Sequence, residues 1–502
     1  MKVLLFNPRS ANSKHRIPNS ILQVAASIEG VYDYAIVDGN LEKDPWGKIA
    51  SLLNSGDYFC FGCTVMPGPQ LQQAIPYSKA IKAEYPSVKV IWGGYFASNQ
   101  FQTVLKSGFV DYVIYGHGDE AFPKLLGAIS GNQAVDGVPN LAYVMQGRVT
   151  KNASTPIPDQ DALPPLPYEK LDSFYSIRKY LGKTFLGKRT VAYHSSMGCP
   201  FTCSFCAVVP LYNARWKGKS ASLVYADIKY LIDHFEADAV EFHDNNFFVS
   251  EKRTVEFAQL IQSENISWWG EGRIDTIDKY SDQSLALMRK AGCKMIFFGA
   301  ETSNDELLQQ MEKGGTQSTE QMKRFAARLA QFDIIPEYSF VLGFPGPTPE
   351  AVEAQIDRDI AFIKEIKSIN PRTEIIIYVY SPVPTEGSDI YEHAKQAGFH
   401  FPTRLEQWLE PDWLRFDLRK NPLTPWLTPR MINKILGFEA VLNAQYPTIS
   451  DFKVTQFQRH IMRAISGWRY RSNIFDFPYE VKALQKYWLR YRQPEVEGFY
   501  SE

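Results

Sequence analysis

The chain reads as an α/β protein: an open parallel sheet covered by helices, then a partial barrel of β/α units, then a mostly helical C-terminal region. Three observations predict this. Short apolar runs alternate with helical patterns twice, over residues 1–150 and again over 188–400. The intervening segment, 151–187, carries Pro156, Pro158, Pro164, Pro165 and Pro167, and such density stiffens a connection while excluding helix and central strand. Beyond residue 400 the alternation stops, and 401–502 is expected to form a helical cap closing the barrel mouth.

Bulk properties bound the function without choosing it. A length of 502 residues allows about two to four domains. Hydrophobic content of 45% and charged content of 22% are those of an ordinary globular chain. A net charge of −1 gives no overall pull toward nucleic acid or acidic membranes. Six cysteines in so long a chain do not suggest a disulfide scaffold. The first apolar run is too short for a signal peptide and reads as a buried strand. No run of apolar residues is long enough for a transmembrane segment.

In the first region the apolar runs are Val3–Asn7, Tyr34–Asp38, Tyr58–Thr64, Val88–Gly94 and Tyr112–Gly116, with helical spacing near 19–29, 45–54, 69–84, 99–107 and 119–129. This alternation predicts a Rossmann-like (flavodoxin-like) sheet. Ligands of such sheets bind beyond the carboxyl ends of the strands. Here those ends carry Gly62, Thr64, Gly93, Gly94, Gly116 and Gly118, and glycines let a large ligand approach the backbone. No G-x-G-x-x-G opens the first helix, which argues against a dinucleotide. Cys60 and Cys63 lie three apart on one strand, point to opposite faces, and read as small buried hydrophobes. Residues 141–144 and 149–151 suggest a hairpin.

The second region offers six strands: Thr190–Ser195, Ala239–His243, Ser267–Gly270, Lys294–Gly299, Pro336–Gly343 and Glu374–Tyr380. Six units predict a partial (β/α)6 TIM-type barrel, open at the side to a large substrate. After its first strand comes Cys199-Pro-Phe-Thr-Cys203-Ser-Phe205-Cys206. Three thiolates on one short loop are one ligand short of a closed zinc site or an ordinary cubane. On a [4Fe–4S] cluster they would leave one iron open to a reactant. The alternative is zinc with a distant His or Asp as fourth ligand. Helical spacing after 400 falls near 405–409, 429–444, 452–466 and 478–491. The basic and aromatic residues there, among them Arg459, Arg463, Arg469, Arg471, Arg490 and Arg492, read as a solvated face, with no nucleic acid expected.

The cysteine loop, with Phe205 before its last thiol, resembles that of the radical SAM (S-adenosylmethionine) superfamily. Gly299-Ala-Glu301-Thr, continuing through Met311-Glu-Lys313-Gly, resembles the family's fourth-strand segment, and Leu342-Gly-Phe-Pro-Gly346 its fifth-strand turn. Asp244 and Asn245 stand where the family often has paired acids, and Arg273 matches a third-strand arginine. The first region is similar to the cobalamin-binding domain preceding many radical SAM domains. Gly62-x-Thr64, Gly93-Gly94 and Val110–Phe122 carry that likeness. The segment reads Gly116-His-Gly118-Asp119 where the family favours Gly-Glu-Gly-Glu, Tyr95-Phe96 follow Gly94, and the D-x-H-x-x-G that supplies a cobalt-binding histidine elsewhere is absent. Together the likeness spans roughly residues 1–400, and the layout resembles both cobalamin-dependent methyltransferases and the anaerobic magnesium-protoporphyrin monomethyl ester cyclases.

The resemblance implies metal ligation by Cys199, Cys203 and Cys206, and cofactor contacts from Phe205, Asp244, Arg273, Glu301 and the six strand-end residues. It implies a [4Fe–4S] cluster, S-adenosylmethionine and cobalamin, used in the cytoplasm to methylate an unactivated carbon of a small-molecule substrate. An electron donor such as flavodoxin or ferredoxin would serve it. The rivals are an oxidative cyclase or rearrangement enzyme, a first region that binds no cofactor, and a non-catalytic iron–sulfur or metal-binding protein. Lipid, tetrapyrrole, peptide and antibiotic precursors all fit as substrates.

Overall fold

The structure, a computed structural model, describes residues 1–10, 15–311, 317–382, 389–414, 423–448 and 454–488. Five parallel strands, β1 (Lys2–Asn7), β2 (Asp33–Asp38), β3 (Tyr58–Thr64), β4 (Lys89–Gly93) and β5 (Tyr112–Ile114), lie in the order β2-β1-β3-β4-β5. A hairpin, β6 (Leu141–Met145) and β7 (Arg148–Lys151), extends the sheet beyond β5 with antiparallel pairing. Its two-residue turn places Gln146 and Gly147 at φ of 50° and 75°, the primed geometry that matches strand twist.

Alternate residues of these strands feed two separate cores. Val3, Leu5 and Ile91 pack with Ile21, Leu22 and Ala25 of the helix Asn19–Ala26, while Leu4, Phe6, Phe61 and Trp92 pack on the other face with Ile75 and Ile81. Cys60 joins the first core and Cys63 the second, and burial pushes both thiols up in pKa.

The second sheet comprises β8 (Thr190–Tyr193), β11 (Ala239–Phe242), β12 (Ser267–Gly272), β13 (Cys293–Glu301), β14 (Ile335–Leu342) and β15 (Glu374–Val379), all parallel and adjacent in chain order. Between β8 and β11 a short antiparallel ribbon, β9 (Ser196–Gly198) with β10 (Trp216–Gly218), brackets the cysteine loop. Gly198 has φ of 76°, and a Cβ there would fall 2.1 Å from the Arg215 carbonyl oxygen, so the residue before Cys199 must be glycine.

The connecting segment is tied to the first sheet. Tyr180 donates its hydroxyl to Asp38 (2.8 Å) and Tyr175 to Glu42 (2.7 Å). The C-terminal region does not form one cap. The short 3-10 turn Leu405–Leu409 inserts Leu405 and Trp408 into the outer core of the first sheet, Trp408 edge-on to Phe96 at 5.1 Å. Helices Pro429–Gln445 and Gln456–Ser472 pack on the barrel side. There Arg459 and Arg463 donate to the carbonyls of Pro447 (3.0 Å) and Gln445 (3.1 Å), and Arg469 pairs with Glu480. These arginines hold local backbone and carboxylate; Arg490 and Arg492 lie outside the described residues, as does Lys313.

Candidate active site

The cysteine loop is held from three sides. Arg273, at the end of β12, is buried and donates Nη1 to Cys203 Sγ at 3.2 Å. Its Nε and Nη2 grip Asp275 at 2.9 and 2.7 Å, and its guanidinium lies 4.0 Å from the centre of the Phe201 ring. A cation fixed by a buried carboxylate is thus pressed on the Cys203 sulfur. Burial pushes the Cys199 thiol up, opposed by the Phe201 amide, Arg273 and Asn246. Asn246 is buried, and its amide holds the Cys199 thiol down.

Asp244 fixes the turn that leads into the loop. Fully buried, it accepts from the Ser195 amide (3.0 Å), the Ser195 hydroxyl (2.8 Å) and the Ser196 hydroxyl. Arg253 completes the cluster by donating to Ser195 Oγ at 2.6 Å. These bonds explain why β8 ends at Tyr193: the Ser195 N–H serves a carboxylate and leaves the ladder. Phe205 packs with Met311, Phe344 and Tyr380, while the Ser204 amide bonds the Met311 carbonyl at 3.1 Å. Glu301 ends β13 after a register shift, buried and at φ of 66°. A non-glycine residue held there is strained, and such strain gathers at functional sites.

A cavity of about 1140 Å³ opens between the two sheets. That exceeds the roughly 300–1,000 Å³ usual for drug-sized ligands. Its first wall contains Gly62, Thr64, Gly93, Gly94, Gly116 and Gly118, with Asn19, Ser20 and Gln23 from the first helix. Its second wall comes from the barrel: His194, Glu241, His243, Trp269, Glu271, Phe297, Glu337, Glu374 and Tyr378. Ser196, Met197, Val208 and Leu211 flank the cysteine loop along it.

Not every glycine on the first wall makes room for a ligand. A Cβ at Gly62 would meet Leu5 and Phe122, at Gly118 Val24, and at Gly94 the Val65 backbone. Only at Gly93 and Gly116 does the nearest atom stand back, at 3.8 and 3.7 Å.

Charge on the barrel wall is organised. Glu241 takes an ion pair from Arg16, which reaches across from the first region. His243 stands between Glu241 (3.2 Å) and Glu271 (3.8 Å). Burial lowers the His243 pKa, but the two carboxylates outweigh it and the net shift is upward; Glu241 itself is held down to about 2, despite burial, by His243 and Arg16. Trp269 donates Nε1 to Glu337 at 2.9 Å.

Comparison with known proteins decides what this assembly is. Residues 193–358, which begin on β8 and contain all three loop cysteines, match the family described as the radical SAM superfamily. The chain carries a radical SAM domain. An uncharacterized methyltransferase of Pyrococcus horikoshii is 27% identical over 71% of this chain and 77% of that protein. The anaerobic magnesium-protoporphyrin IX monomethyl ester cyclase of Synechocystis is 26% identical over 60% of this chain, which spans 57% of the cyclase's length. The fold of OxsB, a cobalamin-dependent S-adenosylmethionine radical enzyme solved with aqua-cobalamin and S-adenosylmethionine, superposes with a TM-score of 0.68 at 14% identity, covering 97% of this chain and 75% of that one.

The sequence-derived residues fall into two groups. Arg273 touches Cys203, and Asp244 reaches the loop through Ser195 and Ser196. None of Cys199, Cys203, Cys206, Phe205, Asp244, Arg273 and Glu301 lines the cavity, whereas all six strand-end residues of the first sheet do. Among the described residues no three His, Cys, Asp or Glu side chains are grouped to hold one metal ion. Each thiolate of a cubane binds a different iron, so such convergence is not what a cluster needs. Sequence reading missed Glu241, Glu337 and Glu374. Each is the single glutamate of an otherwise apolar or aromatic strand. An isolated charge in a buried strand was the available signal.

Proposed function

We propose that this protein is a cobalamin-dependent radical SAM enzyme that methylates an unactivated carbon of a small-molecule substrate. One observation carries the reading: the glycine-bearing strand ends of the first sheet and the flanks of a three-cysteine loop front the same cavity. The residues suit the groups implied. Cys199, Cys203 and Cys206 are three thiols on one loop beside Arg273 and the Asn246 amide, a donor set for a [4Fe–4S] cluster. Room at Gly93 and Gly116 suits a broad ligand laid on the first sheet. When bound, the cluster and S-adenosylmethionine supply radical chemistry and cobalamin supplies methyl transfer.

The chain's own work is positioning. Arg273 braces the Cys203 sulfur, Asp244 sets the entry to the loop, and Phe205 shields it against Phe344 and Tyr380. We assign Glu301 and Asn246 to S-adenosylmethionine and the cluster edge, and Thr64, Gly93, Gly94 and Gly116 to cobalamin. The barrel wall from Glu241 to Tyr378 then receives the substrate. Flavodoxin or ferredoxin would supply electrons in a reducing cytoplasm; no helix among the described residues is long and apolar enough to cross a membrane.

The test is anoxic reconstitution of the full chain with iron, sulfide, hydroxocobalamin, S-adenosylmethionine and dithionite, followed by mass spectrometry of an incubated metabolite extract. A cluster absorbance band and a product heavier by one methyl group are expected. An oxidised, unmethylated product would replace methyl transfer with oxidation or ring formation, the reaction of the cyclase relative. Absence of the band in folded, iron-loaded protein would overturn the whole reading.

A further inference from the structure

The first wall of the cavity holds hydrogen-bonding groups that the chain leaves unanswered. Asp119, in the turn after β5, is 7% exposed, and neither carboxylate oxygen has a partner at full hydrogen-bond distance among the described residues. Gln23 faces it from the helix Asn19–Ala26 and draws its pKa down, yet the buried Gln23 Nε2 has no acceptor at full hydrogen-bond distance among the described residues. One turn earlier, Asn19 donates its amide to the Ala192 carbonyl (3.1 Å) on β8, leaving its Oδ1 buried without a donor. All three side chains line the cavity. His117 does not serve Asp119: its ring contacts the Thr155 carbonyl (3.1 Å) and the Asn140 amide.

Buried polar groups are rarely left this way, and the cost is greatest for a charge. Here three acceptor oxygens and one donor share one wall. An anionic ligand would worsen the imbalance by placing negative charge beside Asp119. An apolar ligand would seal the groups off from water and satisfy none. A primary amide fits both needs, because its N–H groups serve Asp119 and Asn19 and its carbonyl accepts from Gln23. The rim of a corrinoid ring is set with primary amides.

Resting on the cobalamin reading above, we propose that Asp119, Gln23 and Asn19 form the edge of the corrinoid site that reads amide side chains, selecting the amidated ring over one bearing carboxylates. A carboxylate at that place would meet Asp119 charge to charge and offer it no donor. Burial raises the pKa of Asp119, and the Gln23 amide and the residue's own backbone N–H only partly oppose it.

Equilibrium titration of the full-length reconstituted enzyme with hydroxocobalamin, and with its side-chain monocarboxylic acids, tests this by absorbance. The wild type is expected to bind hydroxocobalamin about tenfold more tightly than the acid isomer whose carboxylate faces Asp119, the scale of one charge-assisted hydrogen bond. Asp119→Asn should reduce that preference to within about twofold. Equal preference in Asp119→Asn and wild type overturns the proposal while leaving the cofactor reading intact. If the wild type binds no hydroxocobalamin, both fall. Should Asp119→Asn fail to fold, Gln23→Met takes its place: it should weaken hydroxocobalamin about threefold or more, and an unchanged affinity overturns the proposal.

Discussion

The two walls of the cavity treat charge in opposite ways. On the barrel side, Glu241 is answered by Arg16 and His243, Glu271 by His243, and Glu337 by Trp269. On the first-sheet side, backbone and glycine predominate, and the buried carboxylate of Asp119 has no partner at full hydrogen-bond distance among the described residues. A wall whose polar groups satisfy one another keeps its shape before anything binds. A wall whose groups are unsatisfied gains its stability from the ligand. The difference suggests a preformed substrate side facing a cofactor side completed on loading.

The contrast can be broken most sharply behind the barrel wall. Cys203→Ala should abolish the cluster absorbance and all S-adenosylmethionine-dependent turnover, while hydroxocobalamin titration stays near wild type. Loss of both would mean that the two walls do not load independently. Arg273→Leu should come next. It removes the guanidinium that grips the buried Asp275 carboxylate, for which about 3–5 kcal/mol of destabilisation is usual, and removes the donor to Cys203. Chemical denaturation and iron content would measure the two effects.

Trp408→Ala moves the test to the first sheet. Truncating a fully packed tryptophan costs about 3–5 kcal/mol. Because Trp408 packs against Phe96, amide exchange should accelerate in β3 and β4 more than in β11–β14. A uniform change across both sheets would show that they unfold together.

Smaller effects sharpen the description of the barrel wall. The pKa of His243 is raised in the fold, so its contribution is fully present below the ordinary imidazole value of about 6.5 and disappears as pH rises through the raised value. The pKa of Glu241 is lowered, so its contribution is present above the usual carboxylate range and disappears as pH falls toward about 2. The stability difference between wild type and His243→Gln should therefore be largest near pH 5–6, about 1 kcal/mol, and shrink by pH 8.5. A flat difference in thermal melts across that range would remove His243 from the network. Arg16→Ala should have the least effect, under about 1 kcal/mol, because Arg16 is substantially exposed.

Much of the architecture could be read from residue order. Alternation located every strand of both sheets to within about two residues, and the thiol spacing located the loop. The readings fell short where distant chain segments decide the outcome. Nothing near Tyr193 in sequence announces that Asp244, just past the end of β11, will take the Ser195 N–H and end the ladder. Gly62, Gly94 and Gly118 looked like ligand clearance, yet the chain's own side chains and backbone occupy the space. Asp119 stood out only as a departure from a familiar motif, and its meaning depends on Gln23 and Asn19 about a hundred residues earlier.

The insertion of Leu405 and Trp408 into the outer core of the first sheet has a practical consequence. Severing the backbone among the prolines of 153–167 would not release two independent halves. The N-terminal fragment would lose part of its hydrophobic interior to the other piece, so nicked protein should co-elute as one particle and the isolated N-terminal half should aggregate. Heredity faces the same constraint: a recombination event that trades the front module must bring along a matching tail.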